Sequence, residues 1–342
     1  MKLTLSTNDL TAILGQLDNV NMNDAPMADP RPRHPIQPAS TVLLGYALMA
    51  FSGAALTAML MKLDGRVLAG EPLWLKPTKF FISSAIAAGT IEWVIRKSGL
   101  ISRKLDACRR VIAWGFLIEM VIICAQAARG VRSHFNLSTP VDAGLFAIMG
   151  LVITGVVIAI GVAGFTATGA ASHWARAERI AVRWGIGVFV AAAFLGNVMV
   201  RPTHEQQRQA EAAGRPGVWG SHFVGSMEGT TRTWALTGWS RESGDLRVPH
   251  FVGMHAIQVL LLLMFLAKRL GVSMDDARAA RQMAVIGGLL GGTWLLTLGQ
   301  AFAGRSLFEP GLFQVGLWVA LSGLAAVLIS MTFGRHGKGV AA

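Results

Sequence analysis

Long apolar blocks recur along this chain, and they constrain its fold more than any other feature. Each is close to the roughly 20 residues that a helix needs to cross the hydrocarbon layer of a bilayer. Open sheet edges cannot face lipid, and the blocks lack polar alternation, so we predict helices. The predicted spans are residues 41–61, 77–95, 111–128, 143–163, 184–200, 248–267, 283–303 and 311–333. The fold class predicted is therefore all-α, a polytopic transmembrane bundle of about eight helices.

Composition supports a single membrane domain. Hydrophobic residues make up 53% of the 342 and charged residues 15%, whereas soluble domains are roughly a quarter charged. We predict a membrane domain at 41–334, between a flexible cytoplasmic tail at 1–40 and a short cytoplasmic tail at 335–342. The proline-rich segment 31–38 supports the assignment of the first tail, because it cannot continue a helix.

The distribution of basic residues predicts an orientation. The formal net charge is +12, but Lys and Arg lie in the connections after the second, fourth and sixth spans and not on one amphipathic face, which argues against nucleic acid as a partner. The positive-inside rule places these connections, with both termini, in the cytoplasm. The long link 201–247 is then periplasmic.

The third span carries polar residues along one face. Glu119, Gln126 and Arg129 follow helical spacing toward the outer end, where the chain continues to His134 and Asn136. Ionisable groups within a bilayer are costly and normally face a partner or a cavity. For Glu119, a neutral structural role and a proton-carrying role both stay open.

The second and sixth spans add polar groups at the same end. Pro77 suits a first helical turn, which places Lys79 near the membrane surface, either extended toward water or at the depth of Gln126. On a regular helix, His250, His255 and Gln258 fall within one arc. The candidate substrate-binding residues are Arg129, Arg247, Lys79, Gln126, Asn136 and Gln258.

Histidines predict a metal site at this end. His134, His222 and His250 each precede Phe, and all three are expected on the periplasmic side. Together with His255 and a carboxylate from Asp245 or Glu71, they supply ligands that zinc or iron accepts. The spacing of His250 and His255 is not the i, i+4 pair that grips one metal from a regular helix, so a further ligand is required. The candidate catalytic residues are Asp245, Glu71 and Glu119.

Three sequence blocks resemble an uncharacterised family of bacterial multi-spanning membrane proteins. They are WLKPTKF at 74–80, RGVRSHFN at 129–136 and GDLRVPHFVGMHAIQ at 244–258. The resemblance covers most of the chain from the second to the sixth span. It implies a bacterial inner membrane and no particular activity.

Several functions fit these residues. The leading hypothesis is a metal-dependent membrane enzyme acting on a lipid-like or apolar substrate, in which arginines hold an anionic group. The first alternative is a redox protein that binds haem or quinone, with His134 and His255 as axial ligands. The second is a transporter or channel that uses Glu119 and Lys79. A purely structural or partner-binding protein is the remaining possibility.

Overall fold

The computed structural model describes residues 41–169, 172–225, 232–234, 237–273 and 277–333. Eleven helices are described, and the strands form two short antiparallel pairs. The helices are α1 (Val42–Leu63), α2 (Leu75–Lys97), α3 (Arg103–Ala128), α4 (Pro140–Ala167), α5 (Arg176–Phe194), α6 (Gly196–Met199), α7 (His204–Ala213), α8 (Arg247–Met254), α9 (Ala256–Arg269), α10 (Ala277–Phe302) and α11 (Leu312–Phe333). The strands are β1 (Val67–Leu68), β2 (Glu71–Pro72), β3 (Phe223–Val224) and β4 (Gly244–Asp245).

Within the described residues, six stretches are long and apolar enough to cross a membrane. They are Val42–Leu63, Arg103–Ala128, Pro140–Ala167, Arg176–Ala213, Arg247–Arg269 and Ala277–Phe302. Large apolar side chains such as Leu151 and Leu312, 78% and 93% exposed, cover the outer surface of the bundle, as lipid contact requires. The all-α membrane bundle is thus supported, while eight spans stay a prediction because α2 and α11 fall outside this set.

The helices pack in two groups. In the first half, α1 to α4 pack against one another; in the second half, α5 packs against α8, α9 and α10, and α11 packs on α10. Helix α4 packs against α5 and joins the halves. The buried core is mainly Ala, Ile, Leu and Val, as in Ile123 and Ile186.

Polar contacts show which helix ends lie together. Lys97, at the end of α2, lies 3.0 Å from the carboxylate of Glu178 at the start of α5. Lys268, near the end of α9, pairs with the same carboxylate. We call this the basic end. The opposite end, where His134, His222 and His250 lie, is the histidine end.

Two local features differ from the sequence prediction. The predicted sixth span is interrupted at His255, because α8 ends at Met254 and α9 begins at Ala256. The link at 201–247 contains helix α7, which begins after Thr203, whose hydroxyl accepts a hydrogen bond from the backbone N–H of Gln206. The two predicted tails lie outside the described residues.

The polar content of α2 has a structural explanation. Glu92 is 3% exposed, and its carboxylate accepts hydrogen bonds from Arg96 Nε at 2.5 Å and Arg109 Nε at 2.8 Å. Arg109 also donates to Asp106 at 2.7 Å. A buried carboxylate of this kind is tolerated because it is paired. Glu92 therefore connects α2 to α3 near the basic end.

Candidate functional site at the histidine end

Helix α2 and the link after α3 meet through Lys76 and His134. The Lys76 ammonium lies 3.1 Å from His134 Nδ1, as does the Ser133 hydroxyl. An ammonium has donors only, so Nδ1 of His134 accepts and the ring proton of the neutral imidazole is on Nε2. The contact fixes one tautomer of His134.

Aromatic rings enclose His134. Its ring centroid lies 5.6 Å from that of Phe80 and 6.1 Å from that of Phe146. The next residue, Phe135, has a φ of +60°, a conformation that bulky residues rarely adopt and that tends to occur at functional sites. Its ring packs between Phe146 and His222, with centroids 5.8 and 5.0 Å away.

His222 comes from the second half. It directly precedes β3, which pairs with β4, and its carbonyl accepts a hydrogen bond of 2.9 Å from the backbone N–H of Leu246. Among the described residues, Nδ1 of His222 is buried without a hydrogen-bond partner. A buried, unsatisfied ring nitrogen in a native site calls for a ligand or water.

His250 is held by α5. Its Nδ1 lies 2.7 Å from the carbonyl oxygen of Ala192, so Nδ1 carries the proton and Nε2 of the neutral ring is an acceptor. Gly253 permits this approach, because a Cβ at that position would lie 2.2 Å from the Ala192 Cβ. His250 thus has the tautomer opposite to that of His134.

Positive charge surrounds the histidines that lie in the connections. Burial lowers the pKa of His134 well below its usual range, and the charge of Lys76 lowers it further. Burial likewise lowers the pKa of His222, followed by the charges of Arg247 and Lys76. Both imidazoles are therefore neutral at pH 7. Electrostatic interactions link His134 to His222 and His222 to His250, and link His250 to His255 at the helix break.

The predicted carboxylates are engaged by cations. Asp245 binds Arg247 through both oxygens, at 3.0 Å from Nε and 2.7 Å from a terminal nitrogen, and also accepts from the Ser240 backbone N–H at 2.9 Å. Glu71 lies 4.0 Å from Lys79. A Cβ added to Gly238 would lie 2.4 Å from Glu71 and 3.6 Å from Arg247, so the two acids converge beside Arg247.

A second polar group fixes the link after α3. Arg129 donates to Asp142 at 2.7 Å, and Gln126 donates to the same oxygen at 2.9 Å. Asn136 donates to the Arg132 carbonyl and accepts from the backbone N–H of Ser138. Arg129, Gln126 and Asn136 therefore shape the loop that presents His134. Lys79 was expected either to extend toward water or to lie at the depth of Gln126. Its ammonium instead lies 4.0 Å from the Glu71 carboxylate.

Two predicted residues lie deeper in the bundle. Glu119 is 5% exposed and lies roughly 14 Å along the α3 axis from Ala128, at 1.5 Å per residue. Among the described residues its Oε1 has no hydrogen-bond partner, and the Lys76 ammonium acts on it electrostatically. Gln258 crosses between the halves, with its amide 3.3 Å from Thr90 Oγ1.

The described residues do not support the predicted metal site. No group of three or more His, Cys, Asp or Glu side chains that could hold a metal occurs within the described parts of the chain. Of the carboxylates expected as ligands, Asp245 binds Arg247, and Glu71 lies 4.0 Å from Lys79. The positive charges of Lys76 and Arg247 act on the same cluster, which opposes a second cation. The four histidines are nevertheless brought into one series.

Sequence reasoning missed two contributors. Lys76, which directly precedes Pro77, is not among the candidate site residues from the sequence, whereas it contacts His134 directly. Asp142 lies in the first turn of α4, after Thr139 and Pro140, where an acidic residue is common at a helix N-terminus. The sequence therefore gives no sign that Asp142 also accepts a hydrogen bond from Arg129. Only the order of helix ends gives a sequence signal for either.

The fold and this site define a multi-spanning helical membrane protein with a buried, ionisable site at one end of the bundle. No known family model matches the chain, and no curated protein or solved structure is significantly similar to it.

Proposed function

We propose that the protein is a transporter or channel that moves protons, or a solute together with protons, along the interface between its two halves. The observation that carries the proposal is a series of six ionisable groups: Glu119, Lys76, His134, His222, His250 and His255. Lys76 contacts His134 at 3.1 Å, and the other neighbours in the series lie close enough for the charge of one to act on the next. Chains of acids and histidines within a bilayer mark proton pathways.

The tautomers support proton transfer. A neutral imidazole accepts a proton at one nitrogen and releases one from the other. Nε2 of His134 carries a proton and Nε2 of His250 accepts one, and Nδ1 of His222 has no partner among the described residues. We assign His222 the exchange of protons with these two rings, either directly or through water.

Glu119 supplies a group within the bilayer. Its unpaired oxygen lies in the interior of the first half, and Lys76 connects it electrostatically to the histidines. From His255, at the other end of the series, the Gln258 amide continues to Thr90 in α2. In the orientation that satisfies both ends of this amide, its nitrogen donates to the carbonyl oxygens of Met254 and His255, and its oxygen accepts from Thr90.

Reconstituted vesicles test the proposal. A potassium gradient with valinomycin sets a membrane potential, and an enclosed dye reports the internal pH. We expect proton flux in wild type and a fall of about 100-fold in Glu119→Gln and His222→Gln, the lower range for loss of a positioned proton-transfer group. Glu205→Gln and His204→Gln on α7 are matched controls and should retain the flux.

Two results would count against a proton pathway. One is wild-type flux no greater than that of empty vesicles over the tested pH range. The other is equal loss in the α7 controls and in the two pathway variants. A chelator should leave the flux unchanged, because the proposed pathway uses side chains alone.

The finer assignments from the sequence stay proposals. We place the histidine end on the periplasmic side of a bacterial inner membrane because Lys and Arg crowd the connections at the opposite end. The redox alternative, in its haem form with His134 and His255 as axial ligands, predicts a Soret band in the purified protein. No contact among the described residues favours it over the proton pathway.

A further inference from the structure

A cleft of about 410 Å³ lies between α2 and α9, near the basic end and away from the histidine series. Its walls are apolar and aromatic, from Leu261, Met264 and Phe265 on α9 and Trp93 on α2. Toward the basic end the cleft is charged, because Lys97, Lys268 and Glu178 line it there. A pocket that is apolar along one part and charged at its end suits an amphiphile.

Positive charge exceeds negative charge at the charged end of the cleft. The Glu178 side chain is 2% exposed and pairs with both lysines, whose side chains are 26% and 43% exposed. One carboxylate therefore faces two ammonium groups, leaving an excess positive charge. Each ammonium has three donors, and one contact apiece goes to Glu178, so donors remain for an anion.

Aromatic contacts hold the charged end at membrane-surface level. Lys97 lies over the Trp174 ring, 4.9 Å from its centroid, and Trp93 packs edge-on against Trp174. Arg269, next to Lys268, lies over Phe265 at 4.8 Å. Tryptophan and basic side chains at one depth are typical of the boundary between hydrocarbon and headgroups. The opening of the cleft thus lies where a phospholipid places its phosphate.

We propose that this cleft binds an anionic phospholipid from the leaflet at the basic end, with its phosphate at Lys97 and Lys268 and an acyl chain along Trp93 and Leu261. Charge complementarity selects the anionic headgroup, and the apolar wall selects a lipid over a free anion. Basic pockets between membrane helices recognise such headgroups. The bound lipid bridges α2 and α9, which belong to different halves.

Native mass spectrometry of the full-length protein tests the site. Phosphatidylglycerol, phosphatidylcholine and glycerol phosphate are titrated separately. We expect phosphatidylglycerol to bind, and Lys97→Gln/Lys268→Gln to weaken its binding by about 30-fold, from two lysine contacts near a membrane surface. Arg103→Gln/Lys104→Gln removes the same charge at the same end outside the cleft and should have little effect.

Two further variants separate lost binding from lost folding. Lys97→Gln/Lys268→Gln/Glu178→Gln avoids an unpaired buried carboxylate and should bind as weakly as the double variant. Gly89→Leu fills the cleft without changing charge, since a Cβ at Gly89 meets no atom within 4 Å; it should fold and lose lipid binding.

Three outcomes would overturn the lipid site. Equal binding of phosphatidylcholine would remove the role of charge, and equal binding of glycerol phosphate would identify a free-anion site instead. Unchanged lipid binding in a folded Gly89→Leu variant would place the lipid elsewhere. None of these outcomes alters the vesicle assay, so the two proposals fail independently.

Discussion

Acid should destabilise the protein in a window set by His134 and His222. Burial and neighbouring cations lower the pKa of each ring well below 6.5, its ordinary value. Below that pH the unfolded chain binds protons that the two buried rings of the folded protein do not bind. The free energy of unfolding therefore has its full value above about pH 6.5 and falls as the pH decreases. Each ring contributes a slope of at most about 1.4 kcal/mol per pH unit, so roughly 3 for both.

Denaturation by dodecyl sulfate in mixed micelles measures this slope. The free energy of unfolding is followed by circular dichroism between about pH 7.5 and 5. His134→Gln and His222→Gln should each reduce the slope by up to about 1.4 kcal/mol per pH unit, and the double variant should lose both contributions. His204→Gln, which removes an exposed ring, should leave the slope unchanged.

Carboxylates do not produce the same effect in this window. Arg66 and Trp74 lower the pKa of Asp64 from an ordinary 3.8, and Arg232 lowers that of Glu242 from 4.5. Their contribution to stability is therefore lost only at pH values below those ordinary ones. A wild-type slope that persists in the double histidine variant between about pH 6.5 and 5 would refute the assignment of neutral, buried imidazoles.

Two further predictions concern the packing around the site. Arg109→Met should cost up to about 3–5 kcal/mol, because it removes the buried one of the two arginines that pair with Glu92 and leaves only Arg96. Glu92→Gln/Arg109→Met should recover most of this loss. Thermal unfolding measures both, and equal loss in the double variant would contradict the pairing. Gly253→Ala should cost about 1–3 kcal/mol through its contact with Ala192. Gly187→Ala is the control, because a Cβ at Gly187 meets no atom within 4 Å. It should leave the stability unchanged or raise it by up to about 1 kcal/mol. Equal effects of Gly253→Ala and Gly187→Ala in the same assay would refute the close approach of Gly253 to Ala192.

The helices were predictable because bilayer energetics act on whole segments. A run of apolar residues such as Val42–Leu63 has one stable structure in hydrocarbon, whatever its neighbours. The same reasoning placed His134, His222 and His250 at one end, since the order of spans fixes which ends meet. Apolar length alone does not identify α2 as a span, because Glu92 lowers its mean hydropathy, and the residue that pairs with Glu92, Arg109, lies on another helix.

The details of the site were not predictable from the chain alone. The break at His255 has no proline beside it, and nearby α8 packs closely against α5 at Gly253. Whether Lys76 or Lys79 reaches His134 depends on how α2 is rotated against α3. The metal site stays a prediction, and the sequence did not indicate that Asp245 binds Arg247 or that Glu71 lies 4.0 Å from Lys79.

The position of the polar groups relates the proposed transport to the architecture. Within each half the helices pack through apolar side chains, and separating them would expose large buried areas. The seam between the halves includes polar contacts: Gln258 with Thr90 joins α9 to α2, and Lys97 with Glu178 joins α2 to α5 at the basic end. Hydrogen bonds of this kind can be exchanged for water at little net cost, whereas buried apolar area cannot. In the proposed transport, we expect the halves to separate along these polar contacts. Substitutions in the seam should change flux more than stability, and those in the apolar cores the reverse.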